Sequence, residues 1–116
     1  MNYKQLLLGF VVFLATQALA WYQTNGQFIS EWARSNPFIV SLLGVPISLG
    51  YIYATQHSME AFGGVLWPTR LIGFSAGIFT FAFLTYYHLG ETITLKTTVT
   101  LILATTILLI QILWKN

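Results

Sequence analysis

Apolar residues fall into four long runs, separated by polar or glycine-containing turns. The runs predict helices over residues 4–23, 37–55, 66–88 and 93–114, with no sheet. Each is close to the roughly 20 residues that cross a hydrocarbon core of about 30 Å. The third run is the most clearly punctuated. Pro68 is a helix-start signal, because the N–H it lacks would have no intrahelical partner in the first turn. Gly90 is the stop. Between them lie Gly73 and Gly77, a GxxxG pair expected at a helix–helix contact, since a glycine facing lipid gains nothing and close backbone approach gains dispersion contacts. Arg70 lies one turn before Gly73 on the same face, while Lys4 and Lys96 fall at the starts of the first and fourth runs.

The other runs read as follows. In the first, Gly9, Phe13, Thr16 and Ala20 share a small, slightly polar face that should pack on other helices, and Gln17 lies beside it. Two roles are open to Gln17: an interhelical hydrogen bond or a ligand contact. Trp21 and Tyr22 close the run in the manner of an interfacial aromatic belt. The polar loop after it places Phe28, Ile29 and Trp32 opposite Gln27, Ser30, Glu31 and Arg34, which predicts a short interfacial helix in the headgroup plane. In the second run Ser41, Gly44 and Ser48 form a small-residue seam. Pro46 should kink that helix or free a carbonyl near mid-membrane. A loop over residues 56–66 follows, holding His57, Glu60 and the pair Gly63–Gly64. The fourth run is almost entirely Leu, Ile, Val and Thr, and threonine satisfies itself on its own helix's carbonyls. It reads as scaffold or oligomer contact.

Composition sharpens this to an all-α integral membrane protein with one transmembrane domain over residues 1–116. Charged residues are 7% and hydrophobic ones 56% of the chain, far from a soluble mix. Lys4, the apolar run Leu6–Ala15 and Ala18-Leu19-Ala20 also have the form of a secretory leader; we read the segment as the first membrane helix. The net charge of +2 comes from five basic and three acidic residues at scattered positions, so a nucleic-acid partner is not expected. With no cysteine, disulfides, thiolate metal sites and cysteine catalysis are excluded. His57–Glu60 and His88–Glu91 are pairs at i, i+3 that fall on opposite sides of the membrane, so no metal site and no cofactor is expected. No nucleophile–base pair supports an enzyme.

Four short helices, Ala20-Trp21-Tyr22 closing the first, Pro37-Phe38 opening the second, and Tyr86-Tyr87-His88-Leu89-Gly90-Glu91-Thr92-Ile93-Thr94 leading into the fourth together resemble the drug/metabolite transporter superfamily. The likeness is to its four-helix branch, the small multidrug resistance transporters and related small proteins. The resemblance implies a four-helix fold and transport across a bacterial-type inner membrane. That branch carries a proton- and cation-binding glutamate in its first helix. Here the first helix has no carboxylate, and Thr16 and Gln17 are its nearest polar residues.

The expectation is therefore a small transporter-like protein acting as a homodimer. Larger transporters hold two inverted halves in one chain, and two copies of this one in opposite orientations would supply the same. Lys4, Arg70 and Lys115 fall on one side of the membrane and Arg34 and Lys96 on the other, a small bias for the positive-inside rule. Gln17, Ser48, Tyr51, Trp67 and Arg70 are the candidate ligand-binding residues. An arginine without a membrane carboxylate suits a small anionic or zwitterionic solute. Arg70 has a plainer role open to it, snorkelling to lipid headgroups or pairing with Glu60. The alternative function is a non-transport subunit or scaffold of a larger membrane assembly.

Overall fold

Asn2 starts the first helix by accepting a hydrogen bond from the Gln5 N–H, which satisfies one of the N–H groups a helix start leaves free. In the computed structural model, which describes residues 2–114, α1 then runs Tyr3–Asn25 and tightens into a 3₁₀ turn over Gly26–Phe28. Ser30 caps the short helix α2, Glu31–Ser35, by accepting from Ala33 N–H. A short helix does therefore stand between the first two spans, with Phe28 and Ile29 outside it. Two short pieces follow as one span: α3, Pro37–Ser41, and α4, Gly44–Ala61. Then come α5, Leu66–Leu89, and α6, Leu95–Leu113. No strand occurs among the described residues. The stretches Tyr3–Phe28, Pro37–Ala61, Leu66–Leu89 and Leu95–Leu113 are each long and apolar enough to cross a membrane. The protein is an all-helical, four-span integral membrane protein.

Two boundaries differ from the sequence expectation. The second span ends at Ala61, not residue 55, so His57 and Glu60 are helical and the loop shrinks to Phe62–Val65. That turn is made by Gly63 and Gly64, with φ of 68° and 87°, a region glycine enters without steric cost. The third span starts at Leu66, as expected, with Pro68 third in the helix rather than first; its missing N–H is still among those without an intrahelical partner. The fourth starts at Leu95, because Thr94 caps it by accepting from Thr97 N–H. Gly90 does end α5, in the left-handed conformation at φ 68°.

Pro46 acts where its chemistry requires. A proline at this position cannot bond the Leu42 carbonyl and crowds it. The Leu42 carbonyl accepts instead from Val45 N–H at 3.3 Å, and Leu43 N–H bonds Val40 at 3.0 Å. The result is one tightened turn at residues 42–43 separating α3 from α4.

Packing centres on α1. It meets α4 over the most extensive contact, α5 over the next, and α6 packs mainly on α5. α1 and α4 are antiparallel: Asn2 N–H reaches the Ala61 carbonyl at 3.4 Å, Gly9 lies against Ser58, Thr16 against Gly50, and Gln23 donates to the Ser41 carbonyl. The predicted face Gly9–Phe13–Thr16 is buried. The expected seam Ser41–Gly44–Ser48 is not the one used. Ser48 is exposed, and Ile47, Gly50, Ala54, Ser58 and Ala61 form the face toward α1. α1 and α5 run parallel, and Phe13, Ala54, Ile72 and Ala76 form the core where the three helices meet. α6 is held by Ser75, whose hydroxyl donates to the Ala104 carbonyl at 3.1 Å. The whole is a slab of 49 × 35 × 18 Å, whose thin dimension is under two helix diameters of about 10–12 Å.

Candidate functional site

A cleft of about 910 Å³ runs along α5. Its floor is Phe13 and Gln17 of α1 with Tyr51 and Thr55 of α4, its wall is the face of α5 from Leu66 and Arg70 through Thr85, and α6 and the α5–α6 connection close its far end. Gln17, Tyr51, Arg70, Gly73 and Gly77 of the sequence candidates all line it. Trp67 is 73% exposed and Ser48 points away on the outer face of α4; neither lines the cleft. Both fail for the same reason. Each is about 100° around its helix from a residue that does face inward.

The two glycines lie at a helix–helix contact, that of α5 with α1. What they admit is not another backbone but the side chains of α1. A Cβ on Gly73 would meet the Phe13 ring at 3.0 Å, and one on Gly77 the Gln17 amide at 2.9 Å. Gln17 lies flat over this strip and donates to the Gly73 carbonyl at 3.4 Å. It therefore makes the interhelical hydrogen bond and lines the cleft as well. Thr16 is excluded from the cleft: it is buried against Gly50, and its hydroxyl donates to the Val12 carbonyl at 2.7 Å.

Both ends of the cleft carry charge. Arg70 lies at one end, one turn into α5. Glu91 and Lys96 line the other, with Thr92, Thr97 and Thr100. Sequence reasoning missed this far end. The sequence reads the fourth span as scaffold or oligomer contact, yet the first two turns of α6 supply Lys96, Thr97 and Thr100. The signal was present in the Lys-Thr-Thr of residues 96–98, but only the fold decides which way it points. Glu60, weighed as a partner for Arg70, is in the last turn of α4 and lines a separate groove with Asn2 and Gln111.

A rigid clamp stands beside the far end. Trp21, expected at the headgroups, is 4% exposed, and its indole N–H donates to the Thr85 hydroxyl at 3.1 Å. His88 stacks on Trp21 with ring centroids 5.4 Å apart, shares a 2.7 Å hydrogen bond with the Tyr22 hydroxyl, and meets Tyr87 edge-on. The clamp ties α1 to α5 and fixes Thr85 at the cleft wall. His57, on the opposite side, is tied to Gln5 at 2.6 Å.

No family model, no curated protein and no solved structure matches this chain. The functional reading rests on the cleft.

Proposed function

We propose that the protein is a small transporter-like component of a bacterial-type inner membrane, moving a small anionic or zwitterionic solute as a homodimer, on the pattern of the four-helix drug/metabolite transporters. The observation that carries this reading is the cleft, which brings Arg70, Tyr51 and Gln17 of three different helices to one space. Its charged groups are Arg70 and Lys96 against Glu91, an excess of positive charge that favours an anion or an anion-bearing zwitterion. Arg70 offers five donors in a planar fork suited to a carboxylate or phosphate. It also stands at the positive end of the α5 dipole, where a cation is disfavoured unless an anion is near. The absence of a carboxylate from α1 argues against the proton-coupled cation mechanism of that transporter branch. A slab only 18 Å thick leaves the cleft open along one side.

Flux into proteoliposomes of a panel of small anions and zwitterions, wild type against Arg70→Lys, tests this. Loss of a bidentate charge-assisted contact should reduce flux by about tenfold or more with unchanged thermal unfolding. Equal flux in both proteins, or none from the wild type for any solute, would sink the reading. One observation favours a second reading in that event: α6 leaves Val99, Ile102, Leu103, Leu109 and Leu113 exposed along one face, as a subunit docking to a larger membrane assembly would.

A further inference from the structure

Taking the cleft as a solute site, as above, we infer that its occupant is a single-chain amphiphilic anion drawn from the bilayer, a long-chain carboxylate with its head at Arg70 and its apolar body along α5. Four observations converge on this chemistry. The middle of the cleft is apolar, lined by Phe13, Phe74, Ile78, Phe81, Ala82 and Leu101. Several polar groups along the cleft already have partners on the protein: Gln17 donates to Gly73, Thr69 to Val65, Thr100 to Lys96, and Thr85 accepts from Trp21. The depth also fits. α5 has 24 residues, about 36 Å at 1.5 Å per residue, so centring it on a core of roughly 30 Å puts Arg70 just inside the headgroup boundary. The cleft from Arg70 to Thr85 then extends about 22 Å down into the hydrocarbon. Finally, Phe74 and Phe81 on its rim are 52% and 56% exposed, so the space opens toward lipid rather than being sealed from it.

The experiment reads binding, not flux. The full chain in phosphatidylcholine nanodiscs is irradiated with a palmitate carrying a diazirine in mid-chain, and adducts are located by peptide mass spectrometry. Adducts are expected on residues 74–82 and on Leu101, displaced by unlabelled palmitate. The alkyltrimethylammonium of matched chain should mark only outward residues such as Leu7 and Val11. Arg70→Gln should lower cleft adducts by about ten- to a hundredfold relative to those outward ones. Ala82→Trp, which fills the apolar middle and leaves Arg70 in place, should remove them too, so the proposal stays testable if Arg70→Gln misfolds. Equal cleft labelling by the cationic probe, unchanged labelling in Arg70→Gln, or displacement by water-soluble benzoate but not by palmitate would overturn the assignment. Flux of small anions without cleft adducts defeats this inference alone. Cleft adducts without flux of any solute defeat the transport reading and leave this one standing.

Discussion

Trp21 turns its polar edge inward. A buried indole N–H needs a partner, and here the partner is the Thr85 hydroxyl. Replacing Trp21 with Phe keeps most of the stack on His88 but leaves Thr85, 8% exposed, without its donor. The expected loss is about 1–2 kcal/mol, read as a lower midpoint of thermal unfolding in detergent. Trp67→Phe, at a side chain 73% exposed, should be near neutral. Equal effects of the two substitutions would remove Trp21 from the role of clamp. The neighbours Thr16 and Gln17 teach the same lesson on α1. They are adjacent in sequence and about 100° apart around the helix, so one is consumed in the α1–α4 seam and the other reaches the cleft.

At the scale of elements, the decisive contact is α1 on α4. A Cβ on Gly9 would press on the Ser58 N–H nitrogen at 3.0 Å and the Ala54 carbonyl at 3.2 Å, and backbone cannot rotate away. A Cβ on Gly77 would press on the end of the Gln17 side chain, which can swing aside. Gly9→Val should therefore cost about 1–3 kcal/mol by overpacking, while Gly77→Ala should cost less than about 1 kcal/mol. Circular dichroism on heating in detergent separates them. A larger effect at Gly77 would reverse the assignment of close approach. Helix existence was legible in the four apolar runs, and so were the stop at Gly90 and the local effect of Pro46. Helix ends were less legible. The chain Gln56–Ala61 is polar enough to read as loop, yet Ser58 and Ala61 are buried against α1, and that packing continues the helix.

At the scale of the whole molecule, α6 presents an apolar face outward. Ala104 is its one fully buried residue among those described; Thr97, Leu101, Leu108 and Gln111 turn toward the protein and Val99, Ile102 and Leu103 away from it. The proposed homodimer places a second copy on that outer face. Because the chain has no cysteine, a single Leu103→Cys substitution gives a clean oxidative crosslink. A dimer band is expected from Leu103→Cys in native membranes and not from Leu7→Cys on the outer face of α1. Crosslinking at neither position, or equally at both, would argue against α6 as the dimer contact.

Sequence alone determined the medium and the number of spans, because transfer of apolar side chains and of hydrogen-bonded backbone into hydrocarbon is a property of each segment by itself. It also singled out Arg70 and Gln17, since a charge or an amide inside an apolar run needs a reason whatever surrounds it. Which faces meet was not a property of any one segment. In lipid every helix face is apolar enough to pack, and the outcome turns on where small residues let two particular helices approach. That is why Ser48 and Trp67 fell outside the cleft, why Gly9 and Gly50 rather than the Gly73–Gly77 pair set the closest helix contact, and why Lys96, at the start of the most featureless run, ended at the mouth of the site.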